Sequence, residues 1–389
     1  MADDRSALAR AESVVALLDA AAGRIEAARE MPADVLAALH EARLFRLLLP
    51  KSLGGDALDL RSHVAVMETV AAGDASAAWV MGQGAGCALA AAFLAPEAAR
   101  RWFGAPDAVL AWGAGIQGKA VRVEGGYRVT GKWTFASGSR HATALGGHSY
   151  VVDAAGAPVL RPNGEPLDRT VLIRREDADI DDVWQVMGLK GTGSDTFAVA
   201  DIFVAEADTI DRENAEELRA SDPLFLFPGT VVYGLGFAAL QIGIARAMLE
   251  LLRDLALTKT PRGVTVSLRE NPVFQMALAK LEARLRSARA YLRQTAGDAY
   301  DAVAASGRIT LDDRAACKLA SVHVIHECMD ITAEAYRQAG SSAIVSGGPF
   351  ERRLRDAFTA SQQTQARAQN FVTLGRMLLD LEPESMTFL

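Results

Sequence analysis

The chain has 389 residues, of which half are hydrophobic and 23% are charged, with a formal net charge of -7 at pH 7. This length exceeds what one hydrophobic core usually supports, so we expect two or three domains. The acidic balance, without a block rich in lysine and arginine, argues against nucleic acid as a partner. The cysteines Cys87, Cys317 and Cys328 lack metal-ligand spacing and fit reduced thiols of a cytoplasmic protein.

The N-terminus lacks the basic-then-apolar pattern of a signal peptide. The longest apolar stretch, residues 231–240, is interrupted by Gly234 and Gly236 and is too short to span a bilayer. The sequence therefore predicts a soluble, intracellular protein without a membrane partner.

The first hundred residues are rich in alanine, and their apolar positions recur at helical spacing, which predicts an N-terminal helical domain over residues 1–107. Asp59 is the expected cap of one helix, and Asp74 or Ser76 the cap of the next. The glycines within residues 82–86 are costly in that helix. They allow close backbone approach, either to a neighbouring helix or to a ligand.

A second type of pattern begins near Val109, where short β-rich runs alternate with Gly, Asp and Pro turns. This predicts a middle domain over residues 108–222, built as an antiparallel sandwich or barrel. Residues 188–194 (Gly-Leu-Lys-Gly-Thr-Gly-Ser) contain three glycines but lack the Walker lysine position and the strand–helix context of a dinucleotide site. As a nucleotide motif this run is weak.

The C-terminal part, residues 223–389, is predicted to be helical to its end. Apolar spacing, caps and breaks predict helices over about 228–257, 272–305, 310–340 and 361–381. Long helices with short connections are typical of an antiparallel four-helix bundle.

One strand in the middle domain carries an unusual set of side chains where it ends. Trp133, Phe135 and Ser137 precede a break at Gly138. Aromatic side chains beside a hydroxyl on a rigid strand suit a flat heterocycle, which needs stacking walls and one hydrogen bond. The alternative is a sandwich strand with its usual aromatic core and a serine turn, since motif matches carry a real risk of false positives.

Metal-dependent hydrolysis has little support in the sequence. HExxH, GxSxG and Walker sequences are absent, and no metal site is predicted. His323 and His326 beside Glu327 could face a metal from one helix, but no second ligand pair at matching spacing accompanies them. Chemistry carried by an organic cofactor fits better.

Residues 125–142 resemble the flavin-contacting strand of the acyl-CoA dehydrogenase superfamily, in which a Trp-Ile-Thr run lies against the isoalloxazine ring. Phe135 and Ser137 take the places of that Trp and Thr. Further runs resemble superfamily motifs in the same order: Leu49-Pro50 with Gly54-Gly55, residues 188–194, and Pro349, Arg352, Arg355 and Asp356. The resemblance covers nearly the whole chain and implies an α+β fold of the acyl-CoA dehydrogenase type, with N-terminal helices, a middle β domain and a C-terminal four-helix bundle.

The variant Gly-x-Trp-x-Phe-Ala-Ser-Gly-x-x-His-Ala resembles the oxygenase branch of this superfamily. That resemblance implies the oxygenase component of a two-component monooxygenase, which uses reduced FMN or FAD from a separate NAD(P)H-dependent flavin reductase. Such enzymes hydroxylate an aromatic or heteroatom-containing small molecule through a flavin C4a-hydroperoxide, which must be kept dry.

A dehydrogenase of the same superfamily is the alternative, with tightly bound FAD. The common dehydrogenases remove a substrate proton with a glutamate that follows the Arg-Asp pair, and residues 357–365 contain no carboxylate. Glutamine cannot replace that base at neutral pH. A displaced base, Glu250 or Glu282, stays open, as does a non-catalytic flavin-binding protein.

The resemblance also implies roles for single residues. Trp133, Phe135 and Ser137 are expected to contact the flavin, with the Ser137 hydroxyl near N5. Arg262 and Gln275 are similar to a bundle arginine and glutamine that reach the flavin phosphate or adenosine, often across a subunit interface. That arrangement, together with apolar bundle helices, predicts a homotetramer.

Proton handling in the predicted site depends on Gln363 and His141. Gln363 stands where the hydroxylases usually carry a histidine that helps to deprotonate a phenol or protonate the peroxide. A phenol-activating base is therefore in doubt, and an indole, an amine or a sulfur compound is an alternative substrate. His141 is a candidate for the proton-handling group, with a surface-turn histidine as the competing interpretation.

Overall fold

A computed structural model describes residues 6–212 and 214–383 of the chain. The N-terminal segment folds into helices, namely α1 (Ala7–Ala28), α2 (Ala33–Glu41), α3 (Leu60–Gly73), α4 (Ala75–Cys87) and α5 (Pro96–Phe103). The predicted caps are confirmed, because Asp59 accepts from the amide of Ser62 at 2.9 Å and Asp74 from that of Ala77 at 2.8 Å.

The glycines of α4 allow neighbouring side chains to approach its backbone. A Cβ on Gly86 would lie 2.5 Å from the ring of Tyr233, and one on Gly82 would lie 2.6 Å from the Met67 methyl group. Met67 belongs to α3 and Tyr233 to a C-terminal helix. The prediction of close packing against neighbouring helices is confirmed.

The middle segment forms one sheet of eight strands: β1 (Leu110–Trp112), β2 (Gly118–Val123), β3 (Gly126–Ala136), β4 (Ala144–Val152), β5 (Asp168–Arg174), β6 (Asp179–Asp181), β7 (Asp195–Ala205) and β8 (Thr209–Ile210). Their order is β6-β7-β3-β2-β4-β5-β8, and β1 pairs with β4.

The sheet is mixed rather than purely antiparallel as predicted. β2 and β3 form a hairpin, and the chain then crosses to the other side of β2, so that β4 runs parallel to it. β1 also pairs with β4 in parallel. The other pairings are antiparallel.

Within residues 223–383, the C-terminal segment contains three long α-helices and two short ones: α6 (Gly229–Thr258), α7 (Pro272–Ser306), α8 (Leu311–Ala339), α9 (Pro349–Ala360) and α10 (Gln369–Met377). Asn271 caps α7, and Thr310 with Asp313 forms a capping box at α8, as predicted.

The predicted fourth helix over 361–381 is wrong in its first half. α9 ends at Ala360, and the Gln363 side chain caps a short 3-10 turn by accepting from the amide of Gln365 at 2.7 Å. Asn370 donates to the carbonyls of Thr364 and Gln365 at 3.1 and 2.9 Å. These side-chain bonds to the backbone compete with a continuous helix.

Helix α6 has an apolar window longer than the stretch of residues 231–240 identified from the sequence. Its length and composition would allow it to cross a membrane, but 83% of its most apolar window is buried inside the fold. α6 packs against α3, α4, α7 and α8. This burial is typical of a central helix in a bundle.

Helices from both ends of the chain share one hydrophobic core, because α3 packs against α6 and α7. A separate core fills the sheet around Tyr127, Trp133 and Phe197. The boundaries at 107/108 and 222/223 stay predictions, and the N-terminal helices complete the packing of the C-terminal bundle.

Candidate functional site

The end of β3 is distorted by a bulge. Trp133 pairs with Phe197 of β7, but Ala136 pairs with Asp195, so β3 holds one residue more than its partner strand. The extra residue places Phe135 in left-handed backbone conformation, with φ of 58°. Such a conformation is strained for an aromatic residue and is typical of functional sites.

The bulge sends Trp133 and Phe135 into different surroundings. Trp133 is fully buried, donates its Nε1 hydrogen to the carbonyl of His148 at 2.8 Å and stacks on Phe197. Phe135 is 61% exposed and meets Trp184 edge to face, with ring centroids 6.0 Å apart. The contact of Trp133 with a cofactor stays a prediction, and the position of that side chain in the sheet core gives it no support.

Ser137 lies in the turn that follows Phe135. Its hydroxyl is 3.0 Å from the indole Nε1 of Trp79 on α4 and 2.7 Å from the hydroxyl of Ser194. Ser137 is 7% exposed. Trp79 in turn stacks on Phe237 of α6, with centroids 4.1 Å apart. Ser137 thus sits where the sheet meets the helical core.

The loop 188–194 is held by the run Pro349–Asp356. Asp356 accepts from the amide of Leu189 at 2.6 Å, and Arg355 donates to the carbonyl of Met187 at 2.6 Å. A Cβ on Gly188 would lie 2.2 Å from the carbonyl oxygen of Arg355, so only glycine fits there. Two of the runs that carry the resemblance are thus packed against each other.

The Asp356 carboxyl is fully buried beside that loop. Burial, together with the nearby Asp74 carboxyl, raises the pKa of Asp356 to about 7, against the opposing effects of the Leu189 amide and Arg355. Burial also raises the pKa of Asp74. Near neutral pH, the loop is therefore held by a carboxyl group that is close to its protonation midpoint.

Asp356→Asn is expected to remove a pH dependence of stability. Between about pH 4 and about pH 7 the folded protein keeps a proton on Asp356 that the unfolded chain has released, so its contribution to stability is lost as the pH rises. The asparagine keeps an oxygen for the Leu189 amide and has no such loss. Urea unfolding at several pH values should show that the free energy of unfolding of the variant rises relative to that of the parent toward about pH 8.

Asp34→Asn is the matched control for that measurement. Asp34 is exposed, and its hydrogen bond from Arg24 lowers the pKa of its carboxyl. It is ionised in both states at neutral pH, so its effect on unfolding should be constant from about pH 5 to about pH 8. A parent and an Asp356→Asn variant with parallel pH curves would contradict the assignment.

A buried carboxylate, Asp195, anchors the segment that carries Trp184. Asp195 accepts from Arg140 Nε at 2.6 Å and from the amides of Val183 and Trp184, each at 3.2 Å. The Trp184 Nε1 hydrogen is donated to the Leu189 carbonyl at 3.0 Å. These bonds set Trp184 against the exposed ring of Phe135.

His141 makes a structural contact, and its proton-handling role stays a prediction. Its Nε2 accepts from the amide of Met31 at 2.9 Å, which ties the turn after β3 to the loop between α1 and α2. Burial, then the charges of Arg140 and Arg175, lower the pKa of His141 to about 4. At neutral pH the ring is neutral, and the nitrogen facing Met31 is occupied as an acceptor.

Gln363 keeps both hydrogens of its side-chain amide nitrogen unused. Its Oε1 caps the turn after α9, whereas its buried Nε2 has no hydrogen-bond partner in the part of the chain that the structure describes. A buried polar group without a partner is costly and is a candidate for contact with a ligand. Gln241 on α6 shows the same feature, with an unpartnered Oε1 and its amide nitrogen bonded to the Ala357 carbonyl at 2.8 Å.

Arg262 and Gln275 lie at the end of the bundle where α6 connects to α7. Both are exposed, and Gln275 donates to the carbonyl of Arg269 at 2.7 Å. No hydrogen bond joins either residue to Phe135 or Ser137 within the described residues of one chain. Their predicted contact with flavin stays a prediction that depends on a second subunit.

The histidine pair on α8 is used in packing. His326 bonds the carbonyl of Ala366 at 2.6 Å, His323 meets the ring of Tyr291, and Glu327 forms an ion pair with Arg284 at 2.6 Å. Over residues 6–212 and 214–383, no group of three or more His, Cys, Asp or Glu side chains is arranged to hold a metal ion.

Sequence reasoning did not single out Trp79, Trp184, Thr192 or Asp195 as site residues. Thr192 and Ser194 lie in the run 188–194, whose glycines were the available signal. Trp79 precedes the glycines of α4, but nothing local indicates that its indole meets Ser137. The contact between Trp79 and Ser137 joins residues that are far apart in the sequence.

Comparison with known proteins identifies relatives along nearly the full chain. The family model "Acyl-CoA dehydrogenase, N-terminal domain" matches residues 9–105, and "Acyl-CoA dehydrogenase, C-terminal domain" matches residues 235–367. Together these matches cover more than half of the chain.

Two curated relatives are a monooxygenase and the oxygenase component of a hydroxylase. An indole-3-acetate monooxygenase of Pseudomonas putida is 29% identical over 97% of this chain and 96% of its own. The oxygenase component of an FADH(2)-dependent resorcinol hydroxylase of Rhizobium sp. is 26% identical over 96% of this chain and 94% of its own.

Two solved structures confirm the predicted fold. A 3-HSA hydroxylase from Rhodococcus sp. RHA1 superposes with a TM-score of 0.88 at 24% identity, over 100% of both chains. XiaF from Streptomyces sp., in complex with FADH2 and glycerol, gives a TM-score of 0.88 at 24% identity, over 97% of this chain and 96% of its own.

Proposed function

The chain belongs to the acyl-CoA dehydrogenase superfamily, and we propose that it is the oxygenase component of a two-component flavin-dependent monooxygenase. The relatives confirm the prediction of the oxygenase branch, since they are monooxygenases and therefore oxidoreductases. We propose reduced flavin, FMN or FAD, as the cofactor.

The observation that carries this proposal is the end of β3, where an exposed aromatic ring stands beside a nearly buried hydroxyl. Phe135 offers an open face for a flat heterocycle, and Ser137 supplies one polar atom next to it. This pair of groups fits an isoalloxazine ring. The strained backbone at Phe135 and the hydrogen bonds of Trp184 fix these two aromatic rings, which form a platform beside Ser137.

Bound flavin supplies the activation of oxygen and its transfer to the substrate. The chain's own contribution is to position the ring and to exclude water. Ser137 is positioned to bond a polar edge of the ring. The stacked side chains of Trp79, Phe237 and Tyr233 form an apolar wall between α4 and α6 behind that hydroxyl, and such a wall favours a dry site.

The alternative of a dehydrogenase with a displaced base loses support from the geometry. Glu282 accepts from Arg246 and Arg286, and the hydrogen bond from Arg246 contributes most to lowering the pKa of Glu282 to about 2. A carboxylate with so low a pKa is a weak base. Glu250 lies exposed on the outer face of α6.

We propose an indole-type or another heteroaromatic substrate rather than a phenol. Gln363 stands where the resemblance implies a base, and a glutamine cannot deprotonate a phenol. One relative is named as an indole-3-acetate monooxygenase, which supports the same class.

We propose that the chain works as a homotetramer with a separate NAD(P)H-dependent flavin reductase in the cytoplasm. The turn around Arg262 and the start of α7 expose a group of apolar side chains: Val264, Val266, Val273 and Met276. Such a patch is typical of a subunit interface. Light scattering that shows a stable monomer at micromolar concentration would contradict the assembly.

Two measurements test the function: the binding of oxidised and of reduced flavin, and the formation of product in a turnover assay. The purified chain should carry little oxidised flavin and should bind dithionite-reduced FMN or FAD more tightly than the oxidised forms under anaerobic conditions. With an unrelated NADH-dependent flavin reductase, catalase and indole as probe, it should form a hydroxylated product. Tightly bound oxidised FAD that an acyl-CoA reduces without oxygen would instead establish a dehydrogenase.

A further inference from the structure

Five polar groups, three of them the hydroxyls of Thr192, Ser194 and Ser137, form a continuous buried chain of hydrogen bonds between the Leu189 carbonyl and the Trp79 indole. Thr192 Oγ1 donates to the Leu189 carbonyl at 2.8 Å, and it lies 2.7 Å from Ser194 Oγ. Ser194 Oγ lies 2.7 Å from Ser137 Oγ, which lies 3.0 Å from Trp79 Nε1. Thr192 and Ser194 are almost fully buried, at 1% and 3% exposure, so the protein itself must satisfy their hydroxyls.

The direction of each hydrogen bond follows by elimination, because a hydroxyl has one hydrogen to donate. The Leu189 carbonyl can only accept, and it accepts from Trp184 Nε1 and from the Thr192 amide as well; the arrangement that keeps every one of these bonds gives it the Thr192 hydroxyl hydrogen too. Ser194 must then donate to Thr192, and Ser137 must donate to Ser194. The indole of Trp79 can only donate, so it donates to Ser137.

Ser137 is left with no hydrogen to offer and with one unused lone pair. Any group of a ligand that forms a hydrogen bond with this hydroxyl must therefore be a donor. Reduced flavin carries a hydrogen on N5, whereas oxidised flavin presents N5 as an acceptor. The two redox states thus differ at the one atom that a hydroxyl beside the ring would bond.

We propose that Thr192 and Ser194 are positioning residues that hold Ser137 as an acceptor and thereby favour reduced over oxidised flavin. This inference rests on the proposed function, which places flavin at Ser137. Reversing the direction of these hydrogen bonds would make Ser137 a donor but would cost the bond from Thr192 to the Leu189 carbonyl. One such bond is worth about five-fold in the ratio of the two dissociation constants, or about 1 kcal/mol.

The test measures the dissociation constants of oxidised and dithionite-reduced FAD and FMN, by anaerobic titration, for the full chain and two variants. Thr192→Val keeps the shape of the side chain and frees the Ser194 and Ser137 hydroxyls to turn. Ser194→Ala removes the acceptor of the Ser137 hydrogen. In both variants the preference for reduced flavin should fall about five-fold, because Ser137 can now donate to N5 of the oxidised ring.

Ser139→Ala is the matched control. The Ser139 hydroxyl is fully buried in the same turn and donates to the Gly193 carbonyl at 3.3 Å, but it is not part of the chain of hydroxyls. Its removal should leave the ratio of dissociation constants unchanged. Circular dichroism and thermal unfolding verify that each variant is folded.

Two results would overturn the proposal, and they have different meanings. A parent protein that prefers reduced flavin while Thr192→Val and Ser194→Ala keep the same preference would refute the positioning role and leave the proposed function intact. A parent protein that binds neither redox state would refute the proposed function, and this inference with it.

Discussion

Ser137→Ala is expected to release hydrogen peroxide roughly ten- to hundred-fold faster than the parent protein, at the expense of hydroxylated product. The hydroxyl lies two residues after the exposed Phe135, and it already accepts a hydrogen from Trp79. The variant loses the hydrogen bond to the cofactor, worth about 1–3 kcal/mol. Without that bond, reaction with oxygen is less well coupled to oxygen transfer.

The measurement compares oxygen consumed, peroxide released and product formed with the same supply of reduced flavin. Ser139→Ala serves again as the control, since it removes a buried hydroxyl from the same turn without touching Trp79 or Ser194. Its peroxide release should match that of the parent. Equal peroxide release from Ser137→Ala would exclude a role for the hydroxyl in coupling.

The fold and the position of the site could be predicted from short runs that resemble a known superfamily. The run at 188–194 and the run Pro349–Asp356 each give a weak signal alone, and their packing explains why they occur together. Gly188 must lack a side chain because the backbone of Arg355 lies against it. Such a contact constrains two distant segments and leaves a recognisable pattern in both.

Details that depend on long-range register could not be predicted in the same way. Strict alternation puts Trp133 and Phe135 on one face of β3, and only the pairing of Ala136 with Asp195 reveals the bulge that separates them. Likewise, apolar spacing over 361–381 suggests one helix, whereas the side-chain bonds of Gln363 and Asn370 hold a 3-10 turn in its first half, and the helix begins only at Gln369. Local periodicity does not report these competing hydrogen bonds.

The contacts of Ser137 illustrate the same limit. Its partners Trp79 and Ser194 are more than fifty residues away in the sequence, on opposite sides of it. The pattern around Ser137 identified the hydroxyl, but its orientation is set by residues that belong to α4 and to the loop before β7. The chemistry of the hydroxyl therefore depends on the fold, even where its identity can be read from a motif.

Asp195→Ala is expected to lower the free energy of unfolding by about 1–3 kcal/mol, because it leaves three buried donors without their acceptor, although Arg140 keeps its ion pair with Asp182. Arg140 loses its contact at 2.6 Å, and the amides of Val183 and Trp184 lose their shared acceptor. Asp195 is 1% exposed, so water cannot readily replace the carboxylate. The segment that sets Trp184 against Phe135 should loosen, and flavin binding should weaken with it.

Asp182→Ala is the matched control, because Asp182 also pairs with Arg140, at 2.8 Å, but its side chain is 55% exposed. A surface ion pair contributes about 0–1 kcal/mol, so this variant should unfold at nearly the same urea concentration as the parent. Asp195→Asn, which keeps one oxygen for the Val183 and Trp184 amides, should lose less than Asp195→Ala and remain folded for flavin titration. If Asp195→Ala and Asp182→Ala lose equal stability, the carboxylate of Asp195 is not the anchor of the Trp184 segment, and the platform beside Ser137 must be held by the bond from Trp184 Nε1 to the Leu189 carbonyl.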